Sequence, residues 1–477
     1  MNKTSDGGAM ASNTTELQAD IRHLTDQPCC VGVDIGTTSV CAVVIRPTDG
    51  ALLGRYTTAN GADLPPLFVG DKRQDVQVLY GRVTALLDAV MAQYPAVCAI
   101  GITGQMHGMV CADAKGRALT PLYTWQDGRA SAVCVEIYEK TGYRVAAGYG
   151  LATYYALMQR GEVPAEAACI CTVMDYTAAR LCGVPVRRMH ATNAASLGLY
   201  DLAKNTFDDD ALRVLGIAPT YLPQVVTDCA VVGTYRGIPV SVPIGDNQAS
   251  FLGAVRDPYT TVLANFGTGS QMTLLSSDLS VQSQVGGGAV EVRPFFGDTC
   301  LISGAALCGG RAYAMLAQFF RTFLSAAGYE GGELYDVLNH IAEEGLAQRR
   351  SAGQRLSVKT TFCGTRDNPD AAGEICGIRE ETFTPQAFAA GVLCGMAEEL
   401  FGMYQGVPHD GVVHLAASGN AIRKNPALRQ ALAETFGMEV MIPREQEEAA
   451  IGAAMTAAVG AGYAESLRAL GSWVVYQ

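Results

Sequence analysis

The sequence predicts a two-domain α/β protein, and three observations predict it. The 477 residues exceed what one hydrophobic core ordinarily holds, a strand-turn-strand unit with a Gly-Thr tip occurs twice, and helical and strand periods alternate between the copies. Hydrophobic residues are 49% of the chain and charged residues 17%, and the glycines are scattered rather than periodic. That composition favours a globular chain over a disordered or collagen-like one.

Regular structure is expected from Val31, where VGVDIGTTSVCAVVI alternates apolar and small residues around Gly36, Thr37 and Thr38. Residues 1–28 are polar, rich in Ser, Thr and Asp, and lack an apolar h-region, so they read as a loose tail. Val76, Leu79, Val83, Leu86, Leu87, Val90 and Met91 recur at helical spacing, and Val97 to Ile102 reads as a short buried strand. The second hairpin, TVLANFGTGSQMTLL, runs from Thr261 to Leu275 and carries Asn265 where the first carries Asp34. Between the halves, GAVRDP at 253–258 interrupts the apolar pattern, giving domains over 29–254 and 255–477. Near the end, Asn425 reads as an N-cap before Pro426. Leu428, Leu432 and Phe436 share the helix face and Gly437 stops it.

Composition also excludes function classes. A formal net charge of -12 without a Lys/Arg-rich stripe offers nucleic acid no counterion surface. No apolar run reaches membrane-spanning length, so a soluble, cytoplasmic protein without a membrane partner is expected. The 15 cysteines form no CxxC and the six histidines are dispersed. Reduced thiols acting as small hydrophobes are therefore favoured over disulfides or zinc.

Six segments could carry chemistry. The tip Gly36, Thr37, Thr38, Ser39 offers backbone N–H groups and hydroxyls suited to phosphate oxygens, and Asp34 at its mouth suits Mg²⁺ held through water. One such tip is equally an ordinary turn, but the copy at Gly267, Thr268, Gly269 would let two hairpins grip phosphates if the halves face each other. No P-loop and no GxGxxG is present. GITGQMHGMV puts Gln105, Met106 and His107 at a strand end, where a sugar finds donors, acceptors and an apolar face; a merely hydrogen-bonded histidine stays open. YTWQDGRAS combines the face of Trp125 with Asp127 and Arg129, either a polyol-recognition loop or an Asp-Gly turn with a local ion pair. In PIGDNQASFLGA, Asp246 follows the expected strand Val240 to Ile244 at a helix start, seated as a general base or as a plain cap. HLAASGNAIRKNPALRQAL gives a strand, the turn Ser418, Gly419, Asn420 and a helix, against which a flat base could lie, or a simple loop. EEAAIGAAM shows Ala449, Gly452 and Ala453 on one face, as for close helix packing.

Taken in chain order, DIGTTS, GDNQAS, NFGTGS, SGNAIRKN and EEAAIGAA resemble the motifs of the FGGY carbohydrate kinases from about Val31 onward. The resemblance implies a two-domain actin-like ATPase (ribonuclease H-like) fold with an inter-domain active-site cleft. It further implies ATP as donor, Mg²⁺ near Asp34, Asp246 as base, the hairpins at the phosphates, and Ser418, Gly419, Asn420 and Asn425 at adenosine. GQMHG and TWQDGR are shared by its xylulokinase-like and sedoheptulokinase-like members. GYGLATYYALM, MDYTAARLCGVP, TNAASLGLYD and TTFCGTRDNPD are similar to the sedoheptulokinases. Ala417 stands where the adenosine motif often has glycine, and Asn247 where many sedoheptulokinases have leucine. The expectation is a ketose kinase with sedoheptulose the favoured acceptor and D-xylulose next, the sugar held by Gln105, Met106, His107, Trp125, Asp127, Arg129 and Asn247. A homodimer is left open. The rival from another class is an actin-like ATP-binding switch, which has no need of a polyol loop beside Asp246.

Overall fold

Strand β1, Cys29–Ile35, is buried at every position but Asp34, so it must be covered on both faces. It turns at Gly36–Thr38 into antiparallel β2, Ser39–Ile45, which pairs with β3, Leu52–Ala59. On its other side β1 pairs in parallel with β4, Val97–Gly104, setting Asp34 beside Thr103. Strands β5, Val231–Tyr235, and β6, Ile238–Ser241, extend the sheet, and β7, Ile244–Gly245, also pairs with β4. Six of the seven strands of this sheet run in the order β5-β6-β4-β1-β2-β3, with β7 off that path on β4. The single strand expected over 240–244 is thus broken into β6 and β7, because Pro243 has no N–H for the ladder.

The computed structural model describes residues 27–477 except 286–287, 330, 353–354 and 367. The expected tail over 1–28 falls almost wholly outside them, as does Asp367 of TTFCGTRDNPD. The chain divides into two compact units, one running up to Gly253 plus Glu447–Trp473, the other Ala254–Gln446 plus Val474–Gln477. The domains expected over 29–254 and 255–477 differ from these units in one main segment. Helix Glu448–Gly460 packs on β1, β2, β4 and β6 of the first sheet. Its backbone comes so close that a methyl on Gly32 would strike the Ala450 carbonyl, and one on Gly101 the Ala453 carbonyl. Small residues on helix and strands permit that approach, which is the close packing read from EEAAIGAAM. Helix Val76–Gln93 packs on β1 to β3, its Val76, Leu79, Val83, Leu86, Leu87 and Val90 buried; Asp75 caps it, accepting from the N–H groups of Gln77 and Val78. Each such side chain contributes roughly 1.5–3 kcal/mol on burial.

The second unit repeats the plan. Hairpin β8, Thr261–Phe266, and β9, Ser270–Ser276, is antiparallel; β10, Val290–Pro294, and β11, Cys300–Ala306, follow; β12, His414–Ser418, and β13, Val440–Met441, complete the six-stranded order β10-β11-β9-β8-β12-β13. Here β8 pairs in parallel with β12 as β1 does with β4, so Asn265 faces Ser418 where Asp34 faces Thr103. Helix Pro426–Phe436 has the cap and stop read from sequence: Asn425 Oδ1 accepts the Leu428 N–H at 3.0 Å, and Gly437 is left-handed. A short helix, Asn420–Lys424, intervenes between the polar turn and that cap.

Candidate active site

Position 34 of a buried strand is an expensive place for a carboxylate, and Asp34 shows it. Its Oδ1 is buried without a hydrogen-bond partner among the described residues. Burial first, then the charges of Asp246 and Glu447, pushes its carboxyl up to about 7. Asp246 opens helix Asp246–Ala254 and is half-buried, with Asn247 beside it in the first turn. The N-terminal end of a helix favours negative charge. The chain entering that helix is fixed by three bonds. Thr103 Oγ1 donates to the Ile244 carbonyl at 2.8 Å, the Gly245 N–H donates to Thr192 Oγ1 at 3.0 Å, and Asn193 Nδ2 donates to the Pro243 carbonyl at 3.2 Å. Glu447 precedes the closing helix and pairs with Arg55 at 3.6 Å.

The loop after β4 presents the next group. Gln105 is 3% exposed, and its Nε2 donates to Gln74 Oε1 at 2.8 Å. Met106 sulfur lies against Gly245, one residue before Asp246. His107 sits at φ 71°, a left-handed conformation uncommon for a residue with a side chain and frequent where function holds it. Its Nδ1 is 2.9 Å from the Ser196 carbonyl, which can only accept, so the proton is on Nδ1. The ring stacks on Tyr149 with centroids 4.4 Å apart. Trp125 is 47% exposed and its indole N–H donates to Thr37 Oγ1 at 3.1 Å, joining the aromatic loop to the hairpin tip.

Asp127 and Arg129 turn inward. Asp127 Oδ1 accepts from the Arg129 backbone N–H at 3.0 Å and from its Nε at 2.7 Å. Oδ2 accepts from the Lys72 N–H at 2.9 Å and from Arg129 Nη2 at 3.0 Å. Arg129 also donates to Asp71 at 2.8 Å and lies over the Tyr123 ring at 4.0 Å. Both side chains are nearly inaccessible, so the pair frames the loop that displays Trp125.

In the second unit the corresponding pieces are mostly backbone. Helix Gly310–Ala326 begins at the hairpin tip, where the Gly310 N–H donates to the Gly267 carbonyl at 3.0 Å and the Arg311 N–H to the Thr268 carbonyl at 3.1 Å. Asn265 Nδ2 donates to Ser418 Oγ at 2.8 Å. Gly419, at φ 95°, passes so close to the Phe266 carbonyl that no side chain fits, and Asn420 starts the short helix behind it. Ala417 is buried within β12 opposite Ala264, and Asn425 is engaged in capping. Gly269 completes that tip.

Sequence reasoning missed Gln74, Asn60 and Glu447. Asn60 Nδ2 donates to the Gly36 carbonyl at 2.8 Å and Gln74 Nε2 to the Thr37 carbonyl at 3.1 Å, so both hold the first tip. Only Glu447, at an acidic helix start, left a signal that could have been read. Among the described residues no three His, Cys, Asp or Glu side chains cluster as a metal cage, and no helix is long and apolar enough to cross a membrane.

Residues 29–253 match the N-terminal domain of the FGGY family of carbohydrate kinases and residues 263–461 its C-terminal domain. The chain is 27% identical to sedoheptulokinase of Homo sapiens over 471 residues, covering 90% of this chain and 97% of that protein. It is 26% identical to a glycerol kinase of Xanthobacter autotrophicus, covering 91% and 90%. In fold it is similar to the crystal structure of xylulose kinase from Rhodospirillum rubrum, with TM-score 0.80 at 21% identity over 94% of this chain and 93% of that one. It is also similar to Plasmodium falciparum glycerol kinase with ADP, with TM-score 0.75 at 17% identity over 94% and 92%.

Proposed function

The chain belongs to the FGGY family of carbohydrate kinases, ATP-dependent sugar kinases of actin-like fold, and from that premise we propose that it phosphorylates a terminal hydroxyl of a ketose. The favoured acceptor is sedoheptulose, giving sedoheptulose 7-phosphate; xylulose or another polyol is the second reading, favoured by the likeness to xylulose kinases. Membership in a family of kinases sets aside the switch protein without kinase activity.

One observation carries the mechanism: Asp246 stands at a helix N-terminus with its approach strand pinned, close enough to Asp34 to raise that carboxyl. Asp246 accepts the proton of the acceptor hydroxyl as its oxygen attacks the γ-phosphorus and the bond to the ADP oxygen breaks. The N-terminal end of the helix favours negative charge at that position. Gln105, Met106, His107, Trp125 and Asn247 orient the sugar, with Asp127 and Arg129 fixing the loop. The tips Gly36 to Ser39 and Gly267 to Gly269 offer donors to phosphate oxygens, and the turn Ser418 to Asn420, with no side chain at Gly419, offers a surface to the base. The donor set fits Mg²⁺: Asp34 has an unsatisfied buried oxygen and two carboxylate neighbours, and a hard cation that keeps most of its water needs one or two such ligands. When bound, the cation would neutralise charge developing on the phosphates.

A panel of ketoses, aldoses and polyols with Mg-ATP, followed by ADP release, tests the reading. Sedoheptulose should give the highest kcat/KM. A higher value for xylulose would replace it with the second reading, and ADP release independent of any acceptor would overturn both.

A further inference from the structure

We infer that Gln74, a residue with no place in the motifs, sets which atom of Gln105 faces the acceptor. The position so formed takes a sugar hydroxyl as hydrogen-bond donor and refuses a group that can only accept. The inference rests on the sugar-kinase reading above.

The amide orientations follow by elimination. Gln74 is 1% exposed, in the short strand Arg73–Gln74. One end of its side chain lies 3.1 Å from the Thr37 carbonyl and 2.9 Å from Asp63 Oδ1. Both are acceptors, so that end is Nε2, and Oε1 points the other way. Oε1 meets two side-chain amides, Gln105 at 2.8 Å and Asn60 at 3.4 Å, and an oxygen there requires nitrogen from each. Asn60 is oriented independently, since its Oδ1 accepts the Ala62 N–H at 3.0 Å and its Nδ2 donates to the Gly36 carbonyl at 2.8 Å. Gln105 must therefore turn its nitrogen to Gln74 and its Oε1 away.

That oxygen is buried and lacks a partner among the described residues. A buried acceptor left unpaired is costly, and a ligand donor removes that cost. Its surroundings name the ligand: Gln105 precedes Met106, whose sulfur lies on Gly245, the residue before Asp246. The donor is thus a non-reacting hydroxyl of the sugar whose reacting hydroxyl Asp246 deprotonates. A site built around a buried acceptor discriminates strongly against an analogue without the matching proton. The same Gln74 amide holds the Thr37 carbonyl, so one side chain fixes both the phosphate hairpin and the polarity of the sugar position.

The test uses the full chain, the best natural acceptor from the panel, and its mono-deoxy and mono-deoxyfluoro analogues. In the native enzyme one non-reacting position should lose at least about tenfold in kcat/KM on removal of its hydroxyl, mostly through KM, and fluorine, which only accepts, should not restore it. Gln105→Met should abolish the penalty at that position and leave the others. Gln74→Met frees the Gln105 amide to rotate, so the preference for hydroxyl over fluorine should shrink at that position alone, a change that general loosening would not confine to one carbon. In the Gln105→Met background, Gln74→Met should have less than its single effect on acceptor KM. Penalties unchanged by Gln105→Met, or strictly additive substitutions, overturn the inference while the kinase reading stands. Should Gln74→Met not fold, the analogue series with Gln105→Met still decides it. A native chain that phosphorylates no sugar or polyol takes both readings down.

Discussion

Burial, then the charges of Asp246 and Glu447, raises the cost of ionising Asp34 in the first unit, and this gives single substitutions distinct signatures. Asp246→Asn removes the proton acceptor and one repulsive charge together. Its turnover number should fall about a hundredfold or more while ATP affinity holds and the melting temperature does not drop; near-normal turnover would remove Asp246 from the base role. Asp127→Ala acts differently, because it strips a buried guanidinium of its nearer partner. Breaking such a pair costs about 3–5 kcal/mol, so urea unfolding should shift markedly before sugar KM does. Unchanged stability with a raised KM would make Asp127 a sugar contact. Asp175, elsewhere in this unit, gives a pH signature, since burial raises its carboxyl to about 7 against opposing bonds from Thr172 and Asn193. Its unfolded value is about 3.9, so the folded state binds the extra proton between the two values and this contribution to stability falls as pH rises through that window. Buried His190, pushed down to about 3, runs the opposite way as pH falls below its ordinary value. Asp175→Asn cancels only the first effect, so its melting temperature relative to the native chain should climb from pH 5 to pH 8; a constant difference would mean that this carboxyl does not titrate there. Asp34 and Asp246 were readable in sequence because each sits in a short pattern with its own turn. Gln74 and Asn60 were not, since their meaning lies in hydrogen bonds to residues 24 to 37 positions away.

At the scale of elements, the two hairpins were legible because period-two apolar runs flank a Gly-Thr tip, and the structure returns both with their strands at nearly the expected limits. The helix after Asn425 was legible through its cap and stop. What sequence hid was partnership: nothing in a run of alanines tells which sheet it will cover. Helix Glu448–Gly460 lies on β1 and β4 at glycine distance. Gly101→Ala should therefore push helix from strand and leave the chain largely insoluble or proteolysed, whereas alanine at Gly81, which has open space around it, should leave the chain folded and, through its better helix propensity, no less stable. Soluble expression and melting temperature of the pair check this, and equal behaviour would mean that the close approach is not real.

The whole chain is organised as two sheets of one plan, the first completed by a segment made late. A chain ending at Gln446 keeps every strand of the first sheet yet loses the helix that covers its centre. Circular dichroism and limited proteolysis should find that unit unfolded in the truncated chain while fragments from 254–446 resist longer; a stable first unit in that chain would contradict the role given to the helix.

The discontinuity also imposes a timetable. On the ribosome β1 leaves the tunnel early, but the helix that seals it is encoded about four hundred residues later. At about 5–20 residues per second, roughly 20–80 s pass before it arrives. For that interval the strip around Gly32 and Gly101 is an uncovered sheet surface on a nascent polypeptide, open to any other strand or chaperone that reaches it. Slowing elongation over the second half of the message should lengthen this exposure and lower the soluble yield, and supplying the last segment as a separate peptide should shorten it.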